Sequence, residues 1–389
     1  FAGGNTITIS NGAFGTITNV IVGAASAAPT SSGATWFTIT LPAATHAGVV
    51  DVIVQRDVGD DILLTDAYTY NPAGWIIDGG IYPDWSRWGE VEGLPGAMRS
   101  MDAAMMNGMI YVGGGQTASI LTNVYGYNGT NWSAVAGLPA YRRNVAFAVL
   151  NESLYSIGGQ SGVSVNANVY VFNGTGWSSS VSLPAARTRL GAATLNGKIY
   201  AVGGSSSRTS GSEMQTNVYA FDGTGWAEVA GLPMALEGMA VEVLNGQLYS
   251  IGGGANGVTN VFRYDGTNWV ADVGLPQPRT FMGSAVMDGR IYAVGGWSSW
   301  ARTNVYAFDG TNWTQIVGLP GAVTKGIAGV VDGKIVVAGG LDASDAYRTN
   351  TYLFDGASWT QTVGLPAARS EQGGAVRNSK LYAFGGRNS

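Results

Sequence analysis

The stretch "GAATLNGKIYAVGG", residues 191–204, reads as two short strands folded back on each other. Asn196-Gly197 is the pair that a type I′ hairpin turn selects, because both central positions need positive φ. The diglycine 203–204 ends the second strand and removes side chains where neighbouring backbones must approach closely. A second stretch, "NVYAFDGTNWTQIVGLP" at 304–320, supplies the other half of such a unit: another hairpin through Asp309-Gly310, a Trp, and a Leu-Pro pair. One unit is therefore four strands, a to d. The Tyr of the third strand and the Trp of the fourth supply its large apolar area.

The unit recurs along most of the chain. Trp88, Trp132, Trp177, Trp226, Trp269, Trp313 and Trp359 each stand six residues before the Leu of a Leu-Pro pair, with a spacing of 43 to 49 residues. The diglycine recurs at Gly115, Gly159, Gly253, Gly296, Gly340 and Gly386. A lone four-stranded sheet cannot bury both of its faces, so successive units must stack on one another.

These residues resemble the kelch repeats, whose mark is a hydrophobic run ending in Gly-Gly, followed by a spaced Tyr and Trp. The resemblance covers residues 75–389 and implies an all-β, seven-bladed β-propeller. Val336 in place of the usual Tyr, Phe262 and Thr351 within the third-strand theme, and the irregular first copy "GGIYPDWSRW" are departures that remove no blade. The segment from Trp75 to Pro95 carries only strands c and d, and the chain ends just after strands a and b of the last copy. Residues 76–92 are thus expected to pair with 370–386 in a blade shared by both ends, leaving no free sheet edge.

Residues 1–72 read differently. "NTITIS", "TWFTIT", "VVDVIV" and "DAYTY" are short alternating strands, the pattern of a small β-sandwich. The segment resembles an IPT/TIG domain, an immunoglobulin-like module, without that family's first strand; "NPAG" at 71–74 reads as a stiff linker. The start on Phe1 suggests an upstream part that was cleaved or belongs to a longer protein.

Composition limits the chemistry. With only 12% charged residues, the surface must be covered largely by Ser, Thr and Asn; the net charge of −5 and four lysines argue against a nucleic-acid groove. No apolar run reaches the roughly 18 residues of a membrane span. Cysteine is absent, so thiol and thiolate chemistry is excluded. Kelch propellers include copper-radical oxidases similar to galactose oxidase, which need paired histidines and a Tyr-Cys cross-link. This chain has one histidine, His46, and no cysteine. No cofactor or metal motif is present, and "RDVGDD" at 56–61 reads as a charged turn. Asn128, Asn131, Asn173 and Asn312 fit the glycosylation sequon but stand where sister copies carry Asp-Gly-Thr, so the turn explains them.

Two functional classes remain. Glu242 interrupts a column of small residues (Ala104, Ala148, Ala193, Ala285, Gly329, Ala375), with Asp102 two positions earlier in its own repeat and Arg189, Lys325 and Glu371 two further towards the strand start. The plain reading is charge pairing across a wet channel; the sharper one is carboxylate chemistry on a sugar, as in kelch enzymes similar to sialic-acid mutarotases. The lack of His and Cys and the appended Ig-like module favour the other class. That other class, the expectation here, is a non-enzymatic binding or structural protein on a cell surface or a phage virion or appendage, with a protein or glycan partner.

Loop lengths place its recognition surface. The a–b and c–d turns barely vary, whereas the b–c connections run from "GANGVT" (254–259) to "SSSRTSGSEMQT" (205–216). Variable loops on a rigid scaffold carry recognition. The b–c and d–a connections share one end of a propeller. That end presents Tyr141, Arg142, Arg143, Arg189 and Phe281 on d–a loops, and Arg208, Trp297, Trp300, Arg302, Tyr347 and Arg348 on b–c loops. In "WSSW" two large rings stand where sister loops are small and polar.

Overall fold

A computed structural model describes residues 6–10, 17–22, 25–27, 29–33, 36–40, 48–56, 62–71, 74–76 and 94–387. The chain divides into two compact units, Phe1–Trp85 and Ser86–Ser389. Every regular element among the described residues is a strand.

The first unit contains two antiparallel sheets. One runs Thr6–Ser10, Trp36–Thr40, Pro29–Gly33; the other runs Ala25–Ala27, Ile17–Val22, Gly48–Arg56, Ile62–Asn71, Gly74–Ile76. His46 and the turn at 57–61 lie outside the described residues.

The second unit is a β-propeller of six four-stranded blades, I to VI. Blade I shows the pattern: strand a Asp102–Met106, b Met109–Gly113, c Val124–Tyr127 and d Trp132–Ala134, paired in that order and antiparallel throughout. The a strands of blades II to VI are Ala146–Leu150, Gly191–Leu195, Ala240–Leu244, Gly283–Met287 and Ile327–Val331. In blade V the b–c connection carries its own two-stranded ribbon, Trp297–Ser298 against Trp300–Ala301.

The count of seven blades from the sequence is corrected to six. A final two-stranded sheet, Gly373–Arg377 with Lys380–Phe384, fills the remaining place in the ring between blades VI and I. The strands expected to complete it lie almost wholly outside the described residues. Trp75 and Ile76, at the start of that segment, pair instead with Tyr70 and Thr69 in the first unit. Of the seventh blade that the sequence divides between both ends, the described residues hold strands a and b alone.

Two sets of hydrogen bonds close the ring, and both derive from the repeat. The second glycine of each diglycine donates its N–H to the carbonyl two residues before the ring position of the next a strand: Gly115 to Arg142, Gly159 to Arg187, and so on round to Gly386 with Met98, at 2.7–2.9 Å. A side chain there is excluded, since a Cβ on Gly115 would stand 2.6 Å from the Arg99 carbonyl oxygen. Further in, Ser100, Asn144, Arg189, Gly238, Phe281, Lys325 and Glu371 each donate to the carbonyl of the preceding member. The circle closes from Ser100 to Glu371, all at 3.0–3.4 Å.

Packing repeats as well. Within a blade the strand-d Trp lies on the strand-c aromatic, as Trp132 on Tyr127 at 4.9 Å and Trp359 on Phe354 at 5.0 Å. Between blades the strand-b Tyr meets the next strand-c ring: Tyr111 with Phe172 at 5.2 Å, and Tyr382 of the two-stranded sheet with Tyr127 at 5.3 Å. Edge contacts of this kind add about 0.5–1.5 kcal/mol each beyond the area they bury.

Candidate functional site: the channel mouth and its loops

The seven ring members stand two residues before each a strand, at the mouth of the central channel. The non-glycine ones hold φ of 50–54°, the left-handed region, which costs an ordinary side chain about 1–2 kcal/mol. The backbone there is demanded by ring closure, while the side chains differ in all seven places. Just outside, the residue before a ring member bridges to the segment after the diglycine in six of the seven places, as Arg99 to Gln116, Arg143 to Gln160 and Thr280 to Trp297. The variable loops therefore surround the mouth.

The predicted loop residues divide sharply. Trp300 is 54% exposed, with the Arg302 guanidinium 4.4 Å from its ring centroid. Arg302 is fixed from the other side by an Nη2–H bond to the Ser298 carbonyl at 2.9 Å. Trp297 is half-buried, its backbone tied to Thr280 in both directions. Tyr347 is half-buried with Arg387 5.9 Å from its ring centroid, and the exposed Arg348 pairs with Asp342. Tyr141 is exposed.

Arg142 is a correction: it is 1% exposed and presents nothing to a ligand. Its Nη1 donates to the Gly158 carbonyl at 2.8 Å and to that of Asn168 at 3.2 Å; Nη2 reaches the Tyr170 hydroxyl. Arg279 and Arg369 do the same at the carbonyls of Gly295 and Gly385. The repeated arginine holds the diglycine corner.

Arg189 is also committed to structure. Its Nε meets Glu237 at 2.8 Å, and its Nη2 serves the carbonyls of Ser207 and Thr209, so it organises the longest b–c loop. Glu237, only 1% exposed, completes that anchor through Ser210 Oγ and the Gly211 N–H, both at 2.6 Å. Sequence reasoning missed Glu237, Arg99, Gln116 and Gln160. Aligning the residues just before the ring positions (Arg99, Arg143, Thr188, Glu237, Thr280, Thr324, Ser370) exposes the first two.

Charge pairing across the channel is partial. Glu371 lies 3.5 Å from both Arg99 and Lys325 and accepts from Ser100 Oγ at 3.1 Å. Burial pushes its carboxyl up, but these neighbours hold it below the ordinary range. Among the described residues Asp102 has no cation partner: its oxygens accept from the N–H groups of Ala103 at 2.8 Å and Phe147 at 2.7 Å. Withdrawal from water outweighs both bonds and raises it to about 6. Glu242 accepts from Ser284 Oγ at 2.5 Å and is likewise raised by burial. Asp102 lines the mouth cavity, of about 300 Å³, and Glu242 does not.

The outer turns account for the sequon residues Asn128 and Asn173, whose Oδ1 atoms accept from the N–H groups two and three residues on. Asn128 Oδ1 accepts from the N–H groups of Thr130 and Asn131, as Asp265 and Asp309 do in their own turns. Among the described residues no group of acidic or histidine side chains could hold a metal ion, and no helix is long and apolar enough to cross a membrane.

Comparison with known proteins agrees with the architecture. The kelch motif is matched at residues 186–222 and 278–309. A solved structure titled "Structure of YjhT" superposes with a TM-score of 0.58 at 17% identity, over 70% of this chain and 99% of that one. At that identity the likeness shows the fold alone. No curated protein matches. The second unit is a β-propeller carrying kelch motifs.

Proposed function

We propose that this chain is a non-enzymatic recognition or structural protein of a cell surface or virion, binding a protein or glycan partner through the loop face around the channel mouth. One observation carries the reading: Trp300, more than half exposed, stands on a two-stranded ribbon with the Arg302 guanidinium 4.4 Å from its ring centroid. An exposed aromatic with a fixed cation beneath it gives contact area at little cost in side-chain entropy.

The test is binding of wild type and Trp300→Ala to surface glycans and to co-purifying proteins, with folding checked by thermal melting. A loss of about 2 kcal/mol or more is expected of a hot spot. Equal binding to an identified partner would sink the assignment.

A sugar-acting enzyme is the second reading. It is favoured by the raised carboxyls of Asp102 and Glu242, the direction a general acid requires. Turnover of free sugars by wild type that disappears in Glu242→Gln would move the assignment to this class.

A further inference from the structure

The turn end of the propeller carries chemistry that the loop face does not use. Asn-Gly occurs seven times in the chain, with asparagine at 11, 107, 128, 173, 196, 245 and 256. Three of these pairs, Asn107-Gly108, Asn196-Gly197 and Asn245-Gly246, form the a–b turns of blades I, III and IV and are exposed at both residues. Among the described residues, neither the asparagine amide nor the N–H of the following glycine makes a hydrogen bond there. A Cβ on any of the three glycines would meet nothing within 4 Å. The c–d turns differ. Asn128 Oδ1 holds the N–H groups of Thr130 and Asn131 at 2.8 and 2.9 Å. Asn173 Oδ1 holds those of Thr175 and Gly176 at 3.0 and 3.1 Å and the Thr175 hydroxyl at 2.8 Å. Asn11 lies outside the described residues, and the Gly257 N–H after Asn256 donates to the Gly254 carbonyl at 3.4 Å.

Sister turns show what an aspartate does in the same place. Asp288-Gly289 and Asp332-Gly333 form the a–b turns of blades V and VI, with φ of 47–48° at the acid and 67–68° at the glycine. The three Asn-Gly turns have 48–50° and 70–72°. The turn backbone is thus the same for amide and for acid. In Asn-Gly the glycine nitrogen, with no Cβ beside it to hinder attack, can close on the asparagine Cγ to make a five-membered ring.

We propose that Asn107, Asn196 and Asn245 are sites of spontaneous deamidation in the folded chain, and that Asn128 and Asn173 are protected by their turns. In the first step the glycine nitrogen gives its proton to solvent base and bonds to Cγ. The Cγ–Nδ2 bond breaks, and ammonia leaves with a solvent proton. Water then opens the succinimide. Opening at Cγ gives aspartate on an unchanged backbone, the residue that blades V and VI carry at this place. Opening at the main-chain carbonyl gives isoaspartate, whose backbone is longer by one carbon, and a two-residue hairpin has no register for it. Either product adds a negative charge to the turn end of a chain whose net charge is −5. At Asn128 and Asn173, bringing Cγ onto the glycine nitrogen gives up the hydrogen bonds of Oδ1, which slows the step about tenfold or more.

The experiment is peptide mapping by mass spectrometry of the full chain, held folded in mildly alkaline buffer at physiological temperature and sampled over weeks. Conversion at Asn107, Asn196 and Asn245 should run at least about tenfold faster than at Asn128 and Asn173. In denaturant all five keep the Asn-Gly pair and lose the turn, so their rates should draw together. Asn196→Asp should melt with wild type, because that product fits the turn. None of these outcomes depends on the loop face or on Trp300. Folded a–b sites that convert no faster than the two c–d sites, or a spread of rates that persists in denaturant, would overturn the proposal.

Discussion

The two ends of the propeller ask the same thing of the backbone and receive different answers. At the turn end, every a–b hairpin places two consecutive residues at positive φ: Asn107-Gly108, Asn196-Gly197, Asn245-Gly246, Asp288-Gly289 and Asp332-Gly333, with Asn151-Glu152 and Asn378-Ser379 as the exceptions. At the mouth, one residue per ring place is left-handed as well, and only Gly238 is a glycine. Where closure alone is at stake, Asn or Asp with Gly recurs because it is least strained. At the mouth the chain accepts strain in six of seven places and sets there Ser, Asn, Arg, Phe, Lys and Glu. Strain held against a less costly alternative points to the side chains as the reason for it.

The largest effect expected separates backbone crowding from backbone strain. Gly253→Ala puts a Cβ 2.8 Å from the Glu237 carbonyl oxygen and 2.9 Å from the Met239 Cβ, at φ 94°. It should cost about 3 kcal/mol or more. Gly246→Ala, in the a–b turn of the same blade, meets nothing within 4 Å at φ 71° and should cost about 1–2 kcal/mol. Denaturant melts of both variants measure the difference. Equal losses would show that inter-blade approach is looser than the ring of hydrogen bonds implies.

The second effect is smaller and depends on pH. The folded-state pKa of Asp102, about 6, lies above its ordinary value of 3.8, so the folded chain holds this proton more tightly than the unfolded chain. The penalty for ionising it is absent below about pH 4 and fully developed above about pH 6, reaching at most about 3 kcal/mol. Stability of wild type relative to Asp102→Asn should therefore fall as pH rises through that window. Glu371, held below its ordinary range, runs the other way: its contribution is present above that range and fades as pH falls. A pH-independent difference between wild type and Asp102→Asn would place Asp102 in contact with bulk water.

Much of the fold was legible because its determinants are local. Type I′ turns, diglycines and the Trp to Leu-Pro spacing each write a backbone requirement into a few adjacent residues. The blade count was not, since it depends on which half-units meet across the whole length of the chain. The site was legible only as a neighbourhood. Adjacent arginines went to opposite fates, Arg142 into a buried corner and Arg143 to the rim. The clue was present: arginine recurs at 187, 279 and 369 in register with 142, as a shared structural part would, whereas only Arg99 matches 143. Trp297 and Trp300 part in the same way, because the bridge to Thr280 binds one strand of their ribbon to the blade and leaves the other outward.

The smallest effect tests the strain argument directly. Glu152 is exposed and sits at φ 57° in a turn whose sister copies mostly carry glycine. Glu152→Gly should relieve roughly 1–2 kcal/mol of left-handed strain, partly offset by the greater freedom of glycine in the unfolded chain. A net gain of about 0.5–1 kcal/mol is expected. Lys325, at φ 54°, is the same backbone problem at the mouth, yet it also lies 3.5 Å from Glu371 and its Nζ 5.5 Å from the Phe281 ring centroid. Lys325→Gly relieves a similar strain and loses both contacts, which at a partly exposed site are worth about 0.5–1 kcal/mol each at most. Its net change should lie near zero. Melting curves of the two variants therefore separate the ends of the molecule: a gain at the turn with none at the mouth is the expected pattern. An equal gain at both would mean that Lys325 contributes nothing to the fold that offsets its strained backbone, leaving recognition as the reason for its side chain.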